Sequence, residues 1–186
     1  FLQSHPLSGD RISNLRQMDI AANIYTGDNG DFYPISHYRD EDKNIDYSWD
    51  FTTIEGDTNQ VILGLLWAGQ GAGAVQQCPS FSRSANWLND PYTGYNYNTS
   101  YIGHGQGEIP DDPTGGQAIL MSAKNSAVKH PVKTALFGDG QWSGGANKDM
   151  RAPWSDLEHG GDAVAGGTRC AGTQGFRHQK RTNAAF

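Results

Sequence analysis

The sequence predicts an α+β fold in which an N-terminal helix packs on an antiparallel β-sheet inside a loop-rich domain. Three features point there. Ile12, Leu15, Met18, Ala22 and Tyr25 recur at spacings of three and four, the period of one helical face. Short apolar or aromatic runs follow, separated by Gly, Pro and Asn turn signals. The helical signals come first and most strand signals later, which favours α+β over an alternating parallel sheet.

The helix is expected from about Gly9 to Tyr25, with 9–26 as its full extent. Asp10 is placed to accept hydrogen bonds from first-turn amides, and Gly27 stands where a left-handed C-cap is expected. Its stripe of Ile12, Leu15, Met18, Ala22 and Tyr25 is the face that meets the sheet. Ile20 and Ile24 lie one turn apart and off that stripe. They form either a subunit contact or a strip covered by a loop of the same chain.

Asp28-Asn-Gly-Asp31 is a turn signal, because Asn and Gly tolerate positive φ. Phe32-Tyr-Pro34 leads out extended, and the polar, acidic stretch Ser36 to Asp50 reads as a surface loop. Asp57 or Thr58 caps a second helix over Gln60 to Gly69, apolar on most sides through Val61, Ile62, Leu65, Leu66 and Trp67. Val75 to Cys78 reads as a short strand stopped by Pro79. In Tyr92 to Tyr101, Tyr95 and Tyr97 share a face at period two, as in a strand. These aromatics either pack the domain's own loops or offer a surface to glycan or peptide. Asn98-Thr-Ser100 matches the glycosylation acceptor pattern.

Beyond a Gly/Pro/Asp loop over 103–116, strands are expected at Gln117–Met121 and Lys133–Phe137, with a turn at Gly138-Asp-Gly140. Residues 141–175 read as a Gly-rich insertion, a length that is usually functional or stapled down. Gly175–His178 and Arg181–Phe186 complete a hairpin turning at Gln179-Lys180.

The whole of 1–186 suits a single domain, and a net charge of −6 speaks against nucleic acid as a partner. The 5 Trp and 8 Tyr speak against disorder. No apolar run reaches the roughly 18 residues that a membrane span needs. The chain begins at Phe1 without an initiator Met and stops in a strand pattern. The expectation is therefore a processed or trimmed chain whose targeting segment lies elsewhere. Cys78 and Cys170 belong to no CxxC pair, so cysteine-bound zinc is not expected. In an exported protein they form one disulfide closing a loop of about 90 residues, for which chain entropy gives at most roughly 4–5 kcal/mol. In a reducing compartment they remain two thiols.

None of the common catalytic signatures is present: no GxSxG, HExxH, P-loop or GxGxxG. The six histidines are scattered. The neighbours His159 with Asp162, and His104 with Glu108, read as solvated loop residues before they read as acid/base pairs or a hydrolase site. No catalytic residue is assigned. Calcium is the metal best matched by oxygen-rich Gly loops, with Asp28 and Asp31, or Asp139 with Asp149 or Asp162, as the carboxylates. Neither set has EF-hand spacing.

Arg11 to Pro34, RISNLRQMDIAANIYTGDNGDFYP, resembles a stretch shared by bacterial pilin-like proteins similar to the major pseudopilins of type II secretion. Gln77-Cys-Pro-Ser80 and Gly94-Tyr-Asn-Tyr-Asn98 resemble later elements of that group. Gly175-Phe-Arg-His178 through Asn183-Ala-Ala-Phe186 resembles its C-terminal hairpin, where a His is followed after nine residues by Asp-Gly. Counted from His178, that Asp falls past Phe186. The resemblance implies a pilin-like head on the lower half of a long helix, whose upper half is a membrane and filament-core segment behind a prepilin leader. It implies a structural subunit of a type II secretion or type IV pilus-like system. The subunit would be anchored in the inner membrane, with its head on the periplasmic or extracellular side, and its partners would be other pilin-like subunits and secretion components. The alternative is an exported module that binds glycan or calcium through its Tyr/Asn/Trp-rich loops.

Overall fold

The computed structural model describes residues 7–56, 60–67, 73–82, 94–105, 121–140, 148–150 and 184–185, with side chains from residue 13 onward in the opening helix. Among these, one long helix and two four-stranded sheets make an α+β domain. Helix α1 spans Leu7–Asp28. Strands β1 (His37–Asp40), β2 (Ile45–Ser48), β3 (Phe51–Ile54) and β4 (Gln60–Leu63) form an antiparallel meander in chain order. The second sheet runs β7 (Asp149–Met150), β5 (Tyr95–Asn98), β6 (Phe137–Asp139), β8 (Ala184–Ala185). It is antiparallel except for the parallel β5–β7 pair.

Helix α1 lies against β6 and β8 of the second sheet and against two short 3-10 turns, Leu65–Trp67 and Gly73–Gln76. It begins at Leu7, so Asp10 lies inside its first turn rather than at its cap. It also runs through Gly27 instead of ending there. The left-handed residues are Gly30, with φ 62°, and Asp31, with φ 74°. The expected turn at 28–31 is therefore present but displaced along the chain. Asp31 tolerates this conformation because it is held on three sides. Its N–H reaches the Thr26 carbonyl, its carbonyl accepts from Asn125 N–H, and its carboxylate accepts from Ser126 N–H and Oγ. The Ser126 hydroxyl bond, more than any other influence, keeps the Asp31 carboxyl below its ordinary range.

The core gathers between α1, the second sheet and the segment from Trp49 to Trp67. The rings of Trp49, Tyr97 and Phe137 lie 5.2–5.6 Å apart, centroid to centroid. Leu15, Met18, Ala21, Ala22, Leu66, Trp67, Cys78 and Leu136 close around them. Tyr97 donates its hydroxyl to the Pro34 carbonyl at 2.8 Å, which satisfies the one polar atom this ring carries into the core.

Several sequence expectations are corrected. Residues 36–50 form the β1–β2 hairpin, not a loop. The strands are half-buried and polar, and Arg39 ties them by bonding Asp46 at 2.5 Å, Glu55 at 2.9 Å and Glu41 at 3.0 Å. Of the helix expected over Gln60 to Gly69, the described part, Gln60 to Trp67, is instead β4 followed by a 3-10 turn, and 68–69 lie outside the described residues. Gly64 explains the break, since a Cβ there would lie 2.3 Å from the Phe51 nitrogen and 2.5 Å from the Ser48 carbonyl oxygen. The backbone of β3 passes too close for any side chain. Val75 falls in a 3-10 turn rather than a strand. The expected Lys133–Phe137 strand starts only at Phe137, because Pro131–Lys133 is a 3-10 turn. Gly138-Asp-Gly140 is no turn, for Gly138 and Asp139 lie inside β6 between two partner strands.

Met121 is not in a strand, and 117–120 lie outside the described residues, as do 175–178 and most of 141–175. The described part of that insertion, 148–150, supplies β7. Ala184–Ala185 pair with β6 within the expected final strand.

Candidate functional site

The surface of α1 carries the apolar strips singled out in the sequence. The helix has two apolar strips with opposite fates. Leu15, Met18 and Ala22 are buried, joined by Ala21, and Tyr25 is half-buried. Ile12 lies outside the residues whose side chains are described. Leu15, Met18 and Ala22 thus lie on the buried face of a helix that contacts the second sheet, and Asn14 Nδ2 reaches the Gln77 carbonyl at 3.4 Å. Burial raises the Tyr25 hydroxyl above its ordinary range, with Tyr38 adding to the effect.

Ile20 and Ile24 are 50% and 45% exposed. Of the two readings left open for them, cover by a loop fails among the described residues. Two exposed isoleucines one turn apart form a narrow apolar strip beside the polar Arg16, Gln17 and Asn23. Nothing in the fold itself requires β-branched residues there, which propagate a helix less well than Ala or Leu.

The C-terminal end of the helix meets the rest of the domain through a polar junction. Asn29 Nδ2 donates to the Tyr25 carbonyl at 2.8 Å, Tyr33 N–H donates to the Ala123 carbonyl at 3.0 Å, and Tyr33 Oη bonds Asn125 Oδ1 at 2.8 Å. Ser36 Oγ and Ser122 Oγ close the same seam onto the His104 and Tyr33 carbonyls. Residues 121–127 are therefore strapped to the helix exit.

The two sheets are joined by a buried ion pair. Lys148 Nζ lies 2.9 Å from Asp50 Oδ1, with 10% and 4% of the two side chains exposed. The Lys148 ammonium also stands 4.0 Å from the Phe51 ring centroid, and Phe51 N–H donates to the same carboxylate at 3.0 Å. Burial pushes the Asp50 carboxyl above its ordinary range, and Lys148 opposes that push. Sequence reading missed this pair, because 98 residues separate its members and neither lies in a motif.

The other candidates divide cleanly. Tyr95, Asn96, Tyr97 and Asn98 are all buried, so the Tyr/Asn strand packs the domain's interior and does not present a ligand face. Asn98 cannot accept a glycan in this fold, since its Nδ2 bonds the Ala135 carbonyl at 2.9 Å and its Oδ1 accepts from Tyr101 N–H at 3.1 Å. Cys78 is buried against Gly94, while Cys170 lies outside the described residues. His104 is half-buried at a positive φ of 38°, and burial lowers its pKa.

Asp139 is buried in β6 and Asp149 half-buried in β7, while Asp162, His159, Glu108 and His178 lie outside the described residues. Asp28 is exposed at the helix end, and the Asp31 carboxylate is engaged by Ser126. Among the described residues, no three His, Cys, Asp or Glu side chains gather as a metal site, and no helix is long and apolar enough to cross a membrane.

No family model matches this chain, and no curated protein or solved structure matches it either.

Proposed function

We infer that this chain is the head of a pilin-like structural subunit of the cell envelope, of the type II secretion pseudopilus or type IV pilus-like class. One observation carries the reading. An opening helix of 22 residues lies along a β-sheet by one stripe and leaves a second apolar strip, Ile20 and Ile24, bare. A helix that served only its own domain needs one apolar face. A helix that also packs against neighbouring subunits needs a second.

In this reading, residues N-terminal to α1 continue the helix into a membrane-anchored stem. The junction at 29–36 and 121–127 sets the angle between stem and head. The role is mechanical, and the partners are further pilin-like subunits and secretion components.

The test is assembly by the full-length subunit carrying Ile20→Asp and Ile24→Asp. Both positions are exposed, so the isolated head is expected to keep its melting temperature within a few degrees, the effect of about 0.5 kcal/mol for a surface change. Filaments in the sheared surface fraction are expected to vanish while the membrane pool of processed subunit stays constant. Filaments of normal yield from the double variant would remove the strip from the interface.

A further inference from the structure

We propose that Asn29 is a self-modification site, at which the chain converts its own asparagine to aspartate and isoaspartate through a cyclic imide. Asn29-Gly30 is the sole Asn-Gly pair in the sequence. Three structural features favour reaction there. Both residues are exposed. Gly30 adopts φ 62°, and a Cβ placed on it would meet no heavy atom within 4 Å, so the space around the attacking nitrogen is open. Among the described residues, none accepts a hydrogen bond from the Gly30 N–H. The flanking backbone is held, with the Asn29 N–H on the Tyr25 carbonyl at 2.9 Å and the Asn29 carbonyl accepting from the Phe32 N–H at 3.2 Å, while the Gly30 N–H takes no part in these bonds.

The step balances without a cofactor. The Gly30 backbone nitrogen loses its proton to solvent base and attacks the Asn29 side-chain carbonyl carbon. The new C–N bond closes a five-membered succinimide, and the side-chain nitrogen leaves as ammonia. Water then opens the ring at either carbonyl. One opening yields aspartate; the other yields isoaspartate, with the main chain rerouted through the side chain. Asn125-Ser126 shows the contrary arrangement in the same junction. There the following N–H donates to the Asp31 carboxylate at 3.1 Å, and Asn125 Oδ1 is held by the Tyr33 hydroxyl. An amide nitrogen tied to a carboxylate is poorly placed to lose its proton, so Asn125 is protected.

The conversion strikes where the helix is joined to the head. Asn29 Nδ2 now donates to the Tyr25 carbonyl, which also accepts from the Asn29 backbone N–H at 2.9 Å. The product replaces that donor with a carboxylate, between Asp28 and Asp31 and at the negative end of the helix dipole. Isoaspartate also lengthens the main chain, shifting Asp31 against Thr26 and Ser126. The modified junction holds the helix less rigidly, and this consequence stands whether or not the chain assembles into filaments.

The experiment incubates the whole folded chain in mildly alkaline buffer beside the same chain in denaturant, followed by peptide mapping and isoaspartyl methyl labelling. The folded chain is expected to gain the amide-to-acid mass increase at residue 29, with isoaspartate in excess of aspartate, while Asn125 stays intact. Asn29→Gln is expected to abolish the isoaspartyl signal. An unmodified Asn29 in the folded chain, with reaction at that residue only in denaturant, would overturn the proposal. So would equal modification of Asn29 and Asn125, or an isoaspartyl signal that survives in Asn29→Gln.

Discussion

Replacing Lys148 by methionine is expected to lower the free energy of unfolding by about 3–5 kcal/mol, the usual penalty for stripping one partner from a buried ion pair. The size follows from burial. Asp50 is left inside the protein with 4% of its side chain exposed, so little solvent can reach it. Burial already raises its pKa while Lys148 is present, so removal of the ammonium drives the group further toward the protonated acid. The companion double variant, Asp50→Leu with Lys148→Met, is expected to recover most of that loss, because no charge is then buried unpaired. What remains is the Phe51 N–H without its carboxylate acceptor, worth about 1–3 kcal/mol if it stays unpaired. Urea unfolding of both variants reads the difference. A single variant as stable as the parent would mean that water reaches the pair.

Phe137→Ala is expected to cost a comparable amount, about 3–5 kcal/mol, through lost transfer energy and the cavity left behind. Phe137 is fully buried in β6, between β5 and β8, and its ring packs on Tyr97 at 5.2 Å and on Trp49 at 5.6 Å. Helix α1 lies over this strand, so the void opens beneath the helix rather than at an edge. The collapse needed to fill it would pull Tyr97 away from the Pro34 carbonyl, and the resistance of that 2.8 Å bond keeps the cavity open. Tyr101→Ala is the internal control. Tyr101 is 65% exposed, and its loss is expected to stay within about 0.5 kcal/mol. Thermal unfolding of the two variants should separate them clearly.

Helix α1 was legible because its signal is periodic and local. Leu15, Met18 and Ala22 could be assigned to one face without knowing what covered them. The second strip was legible for the same reason, since Ile20 and Ile24 stand off the stripe in any regular helix.

The first sheet was hidden by chemistry. Its opening strands carry His37, Arg39, Asp40 and Asp46, and the hairpin is tied by Arg39 to acids contributed by different segments. A strand stabilised by cross-strand charge has no apolar alternation to read. Gln60 to Trp67 failed for a different reason. A short apolar run fits a buried helix and a strand equally well. The deciding fact is the closeness of β3 to Gly64, which only the tertiary structure supplies. Gly138-Asp-Gly140 carries the local chemistry of a turn, yet β5 and β8 on either side hold it extended. At the candidate site, the helix strips were visible in advance, while the Asp50–Lys148 clasp was not. Sequence pattern reaches a few turns along the chain, and that clasp spans 98 residues.

The proposed subunit role requires α1 to be the lower part of a membrane-anchored stem. The most direct measurement is N-terminal sequencing of the mature product, after the full-length gene is expressed with and without a prepilin peptidase. With the peptidase, the expected mature terminus follows a short cleaved leader and opens an apolar segment of about 20 residues that runs into Arg11–Tyr25; without it, the leader remains. A product with the same unprocessed terminus in both cells, recovered from the cytoplasm, would contradict the account.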